Sequence, residues 1–347
     1  RVTDPYGTVG GGYANQAGNN DNNYFIGQFA TVSGGSYNIA SGDSATVSGG
    51  SRSTADGELA TIGGGGYNLA SGYAAVIAGG GGYSASLDRS TPNTALGFWS
   101  AIGGGADNTA TNNFSVIGGG GNNRSGGIFA TIGGGKDNST SADFATIPGG
   151  RLNSARGANS FAAGTRALAA DDGAFVWADN SANFNFSSTT ADEFAARATG
   201  GVRFVTATGA NGIPTAGVQL PAGGGAWSSL SDRAAKTNFA PVNQRAILEH
   251  VAALPIQTWN YKSQAASVRH IGMMAQDFAA AFALGEDDRH ISTVDVDGVA
   301  LAAIQGLYEL VQEQHAEMRR KDTELDAVKA RLEALEKMVS KLTGVER

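Results

Sequence analysis

Ser231-Asp232-Arg233-Ala234-Ala235-Lys236 places a hydroxyl and an amine five residues apart. A serine and a lysine can hydrolyse a peptide bond without histidine, provided the amine is neutral enough to take the hydroxyl proton. An ordinary lysine, with a pKa of about 10.4, is deprotonated in only about one molecule in a few thousand at pH 7. Burial or a neighbouring cation, here Arg233, must supply the neutrality. Five residues on an ideal helix set two side chains roughly 140° apart. Ser231 is therefore expected in an extended or capping segment and Lys236 on the turn that follows. Asp232 and Arg233 take supporting places, Asp232 as a cap or orienting group. Spacing alone equally describes an N-cap at Ser231 or Asp232 followed by a solvated Lys236.

The elements around the hexapeptide change character at this point. Of the 52 glycines, 47 precede Ser231 and five follow it, whereas the long charged amphipathic pattern lies wholly after it. Downstream come Ile256-Gln-Thr-Trp-Asn-Tyr261, His270-Ile-Gly-Met-Met-Ala-Gln-Asp277 and Val294-Asp-Val-Asp-Gly298, the last running into a helical pattern. In order and spacing these blocks resemble the C-terminal intramolecular chaperone of phage endosialidases and tail spikes, over roughly residues 227–345. The resemblance implies self-cleavage on the amino side of the serine after a trimeric fibre has folded. It makes Leu230–Ser231 the scissile bond, Ser231 the nucleophile and Lys236 the general base of a single-turnover serine endopeptidase. The competing class is a structural adhesin or fibre whose C-terminal domain trimerises without cutting.

From Val9 to Ala162 the chain repeats every fifteen residues. Ala30-Thr-Val, Ala45-Thr-Val, Ala60-Thr-Ile and Ala75-Val-Ile are followed, after a ten-residue insertion around Leu87–Asn93, by Ser100-Ala-Ile, Ser115-Val-Ile, Ala130-Thr-Ile and Ala145-Thr-Ile. A fixed short period marks a solenoid whose units bury their apolar faces only against neighbours. Fifteen residues with two Gly-rich corners predict one coil of a parallel β-roll, with two strands of about four or five residues, and about ten coils in all. Alternation sends the Ala/Ser and Val/Ile columns inward and the Thr between them outward. Asn38, Asn68, Asn108, Asn123, Asn138 and Asn153 are expected at corners with positive φ. Phe29, Leu59, Trp99, Phe114, Phe129 and Phe144 form an outward apolar stripe beside the Thr column, which points to an interface. The pattern resembles the head repeats of trimeric autotransporter adhesins, which implies a trimeric roll. A nine-residue calcium repeat is excluded by the period, and the roll has no ordered pair of carboxylates for glycoside hydrolysis.

Between about Ala174 and Leu230 the period is lost, and Phe175-Val-Trp177, Phe184-Asn-Phe186, Phe194–Arg197 and Val202–Val205 read as short strands of a neck. Val242–Leu254 has helical spacing and ends at Pro255, and Ile256–Tyr261 alternates as a strand. From about Val299 to Leu342 a heptad places Ile304, Val311, Met318, Leu325, Leu332 and Val339 at a, and Leu307, Val328, Leu335 and Leu342 at d. Gln314 and Lys321 are polar d residues.

The division expected is a mainly β head at 1–173, a β-rich neck and linker at 174–230, and an α+β chaperone at 231–347 ending in a coiled coil over about 299–342. A net charge of −7 argues against nucleic acid as a partner, and cysteine is absent. No apolar run reaches the roughly 18 residues a bilayer span requires. His250, His270 and His290 are too far apart to define a metal site, and no cofactor is implied. The start at Arg1, in mid-pattern, reads as a fragment or processed product. The expectation is a homotrimer, extracellular, on a cell surface or in a virion tail fibre; the roll has no recognisable pocket from which a host-surface or glycan receptor could be identified.

Overall fold

The computed structural model describes residues 1–19 and 26–344. Two compact units emerge, one of Arg1–Arg203 with Leu220–Trp227 and one of Phe204–Gln219 with Ser228–Arg347.

The first unit is an N-terminal β-solenoid of about eleven turns. Among the described residues two parallel ladders carry it, of 12 and 11 strands. The first runs from Thr8–Val9 to Phe194–Arg197 and the second from Gln16–Ala17 to Phe186–Ser187. Register follows the fifteen-residue period, with Thr46 opposite Thr61 and Val47 opposite Ile62. A third line of single bridges joins Ser36, Ser51 and Gly66. In the regular coils the strands are two residues long rather than the four or five expected. Three corners consume the rest of each coil: a left-handed residue such as Phe114 (φ 58°), a glycine such as Gly120 (φ 90°) and a second left-handed residue such as Asn122 (φ 54°).

The inward columns are as the alternation requires. Ala30, Ala45 and Ala60, with Val32, Val47 and Ile62, are fully buried and repeat through Ala145 and Ile147. The asparagines are not corner residues. Positive φ belongs to the residue before each one, Tyr37, Tyr67, Asp107, Asn122, Asp137 or Leu152, and the asparagine itself is buried. Asn108 donates from Nδ2 to Gly104 O and to Gly120 O, both at 2.9 Å, while its Oδ1 accepts from Asn123 N at 3.1 Å. The amide thus satisfies Gly104 O and Asn123 N, which have no backbone partner, adds a second donor to Gly120 O, which also accepts from Ala106 N at 2.9 Å, and repeats from coil to coil as a ladder. Asn15 and Asn93 belong to the same ladder.

The large apolar column is outward, but on a left-handed corner rather than beside the Thr on the strand. Left-handed backbone is costly for bulky residues. Stacking offsets that cost: ring centroids are 4.9 Å apart for Trp99 and Phe114, 4.6 Å for Phe114 and Phe129, and 5.4 Å for Phe129 and Phe144. The insertion forms an antiparallel hairpin with Tyr83 opposite Ser90 and Ser84 opposite Arg89, and Arg89 clamps it to Asp107 through two guanidinium hydrogen bonds.

Where the fifteen-residue spacing is lost, the ladders are not. Phe175–Ala178 pairs with both Phe161–Gly164 and Phe194–Arg197, so strands expected in a neck extend the solenoid, their irregular spacing taken up in the corners. Arg197 closes this end, donating from Nε to Asp179 Oδ1 at 3.1 Å and from Nη2 to Asp179 O at 2.8 Å.

In the second unit, α1 (Gln244–Ala253) is capped by the Asn243 side chain, which accepts from Ala246 N at 3.0 Å. Strands Gln257–Trp259 and His270–Gly272 pair antiparallel, α2 spans Ala275–Phe282, and α3 runs from Thr293 to Thr343, beginning six residues before the heptad. A Cβ at Gly306 would lie 2.4 Å from Gln244 O, so this glycine lets α3 approach α1 closely. Val299, Ala302 and Ala303 are buried on the helix. That face is distinct from the heptad seam, whose Ile304, Leu307, Met318, Leu325, Val328, Leu332, Leu335, Val339 and Leu342 are exposed in the single chain.

Candidate functional site around Ser231

A three-stranded sheet leads into the hexapeptide, in the order Val202–Thr208, Pro214–Leu220, Ser228–Ser229. The last strand is antiparallel to the middle one, with Val218 opposite Ser229 and Gln219 opposite Ser228. Pairing persists one residue further, where Leu230 N donates to Gly217 O at 3.0 Å. The amide before the Leu230–Ser231 bond is therefore held by main chain, while the Leu230 side chain is 41% exposed.

Beyond Ser231 the chain turns at once. Asp232 has extended backbone and its Oδ1 accepts from Ala234 N at 2.9 Å, capping a single 3₁₀ turn at Arg233–Ala235. Lys236 leaves that turn in extended conformation, with its N–H donating to Arg233 O at 3.2 Å. One turn of 3₁₀ helix between two extended residues brings side chains five apart to one side, which an α-helix would not do. Lys236 Nζ donates to Ser231 Oγ at 2.6 Å. Both residues are exposed in the single chain. Arg233 lies over the Phe239 ring, 5.1 Å from its centroid.

The chemistry open to this arrangement is proton exchange between a hydroxyl and an amine next to a peptide bond held from both sides. Sequence reasoning did not identify Gly217 or the Ser228–Ser229 pairing, because the partner strand is long-range and the flanking Pro221–Ser229 reads as linker. Among the described residues no cluster of three His, Asp or Glu side chains could hold a metal, and no helix is long and apolar enough to cross a membrane. His270 instead packs on Trp259 at 4.7 Å between ring centroids, and His290 pairs with Asp287.

No curated protein matches the chain in sequence. Residues 231–284, beginning at Ser231 itself and including α1 and α2, match the model of the peptidase S74 family, described as the chaperone of endosialidase.

Proposed function

We propose that this chain is the subunit of a homotrimeric fibre of the phage tail-fibre or endosialidase type, whose C-terminal domain directs assembly and then cuts the Leu230–Ser231 bond. The observation that carries this reading is the 2.6 Å contact between Ser231 Oγ and Lys236 Nζ beside that bond, supported by a family match that starts at the same serine. In the reaction, Ser231 Oγ adds to the Leu230 carbonyl carbon as its proton passes to a neutral Lys236 amine. The bond from that carbon to the Ser231 nitrogen then breaks, and the nitrogen takes the proton back. An ester joins Leu230 to Ser231 Oγ until water hydrolyses it, leaving a carboxylate on Leu230 and a free amino group on Ser231. Asp232 holds the turn, and Arg233 adds positive charge near it.

Both partners of the contact are exposed in the single chain. Burial by neighbouring chains in the trimer would favour the neutral amine, which ties cutting to completed assembly. The same exposure is what a non-cleaving fibre with a C-terminal trimeriser would also display. Mass spectrometry of freshly expressed protein separates the two. The expected result is fragments 1–230 and 231–347 from wild type and an intact chain from Ser231→Ala and Lys236→Ala; an intact, fully folded wild type would sink the proposal. In this reading the coiled-coil core is Ile304, Leu307, Val311, Met318, Leu325, Val328, Leu332, Leu335, Val339 and Leu342. The fibre is extracellular.

A further inference from the structure

The strand register before the scissile bond says more than that the bond is held. In an antiparallel ladder, directly opposed residues alternate between pairs that exchange two N–H···O bonds and pairs that exchange none. Val218 faces Ser229 and Gln219 faces Ser228, so the next opposed pair is Gly217 with Leu230. The bond from Leu230 N to Gly217 O at 3.0 Å marks it as a pair of the bonded kind. The second bond of such a pair, from Gly217 N–H to the Leu230 carbonyl oxygen, is not formed in the uncut chain; that oxygen is the atom that gains negative charge when Ser231 Oγ attacks, and the bond would close as the charge appears.

We infer that the Gly217 backbone N–H is the oxyanion donor of the self-cleavage reaction, an inference that rests on the Leu230–Ser231 reading above. The position is specialised for a glycine. Its φ is +147°, and a Cβ there would lie 2.3 Å from Phe204 O and 3.1 Å from Val205 Cα. The strand Val202–Thr208 thus closes behind Gly217 and holds its backbone against Leu230. The donor acts on charge that appears only during the reaction: the carbonyl carbon accepts the Ser231 oxygen, its own oxygen becomes the anion, and Gly217 N–H stabilises it until the bond to the Ser231 nitrogen breaks. Recognition is then by main chain, in the manner of an added β-strand, and the exposed Leu230 side chain contributes little.

The direct test replaces residue 217 of the full chain with glycolic acid by nonsense suppression. This swaps one N–H for an ester oxygen and adds no side chain. Cleavage is followed by mass spectrometry from the moment of synthesis. The expected result is cutting slowed about 10²–10³-fold, the range for loss of one oxyanion donor, with the midpoint of the pH–rate profile unchanged because Lys236 is untouched. The same replacement in a Ser231→Ala background should assemble and melt like Ser231→Ala alone. Cutting at the wild-type rate overturns the inference, as does slowing matched by an equal loss of assembly in the Ser231→Ala background. Gly217→Ala, which keeps the N–H but crowds Phe204, should cut slowly, and Leu230→Ala at close to the normal rate. A wild type that never cuts removes the reaction itself, whereas a normal rate for the ester removes only the part given to Gly217.

Discussion

Lys236 Nζ donates to Ser231 Oγ at 2.6 Å. The proposed cleavage would need the opposite polarity, in which the hydroxyl donates to a neutral amine, so a short distance is necessary and not sufficient. Lys236→Arg separates the two requirements. A guanidinium can hold the same hydrogen bond but stays protonated in proteins, so the variant should assemble and remain uncut in a mass-spectrometric time course. Asp232→Ala removes only the cap on the 3₁₀ turn and should slow cutting without abolishing it. The proximity of these two side chains was legible in the sequence because five residues is a local distance and one turn decides where the side chains go. The asparagines were not legible in the same way. Asn123 Nδ2 reaches Gly119 O four residues back, at 3.0 Å, and Gly135 O twelve residues ahead, at 2.9 Å, and the second partner exists only once the next coil has been laid down. A preference for left-handed corners was the local signal, and the tertiary ladder overrode it.

At the scale of the element, the solenoid is held by repeated small devices, and each can be removed singly. Asn123→Ala deletes both carbonyl contacts and the Oδ1 that accepts from Asn138 N at 3.1 Å, leaving buried polar groups without partners. A loss of roughly 2–4 kcal/mol is expected in denaturant melts of the head. Asn123→Ser should cost less, since Ser53 already occupies this column and its Oγ accepts from Asn68 N at 3.3 Å. The closing turn offers a pH test. The Ser181 hydroxyl, followed by the hydroxyl and amide of Thr199, holds the Asp179 carboxyl well below the usual carboxylate range. A depressed folded pKa contributes stability that is complete above the unfolded value, near about 3.9, and is lost as pH falls through the folded one. Thermal midpoints of the head should therefore drop on acidification below about pH 4. Asp179→Asn should start lower at neutral pH and lose less; an identical acid profile for the variant would exclude Asp179 as a source of the pH dependence. The ladder's continuation to Arg197 escaped the sequence because register depends on strand pairing, and corners absorb spacings of fourteen residues (Phe161 to Phe175) and nineteen (Phe175 to Phe194) without breaking it.

The molecule as a whole poses a problem of register. Coils that contact only their neighbours and are nearly identical can align one repeat out of step at little cost when three chains meet. A clamp at one end removes those states, because the first coils then dock in one alignment. The α3 helix has the form of such a clamp. Its small-residue face around Ala302, Ala303 and Gly306 is committed within the chain, while its heptad residues, apart from the half-buried Val311, remain exposed. In the proposed trimer, neighbouring chains would cover the apolar heptad residues of this 51-residue helix. Cutting after assembly would make the outcome irreversible, since the product keeps a fold whose trimeriser has been severed. Two results should follow. The 1–230 segment expressed without 231–347 should aggregate or misalign, whereas the same segment released by cleavage should be a soluble trimer. Leu325→Glu with Leu332→Glu, which puts charge into the seam, should abolish assembly and cutting together, because the lysine then never enters the environment that neutralises it. Light scattering reads the first effect and mass spectrometry the second. Cutting that survives in a monomeric double variant would show that the dyad needs no neighbour, and a native trimer recovered from 1–230 alone would show that the head needs no clamp.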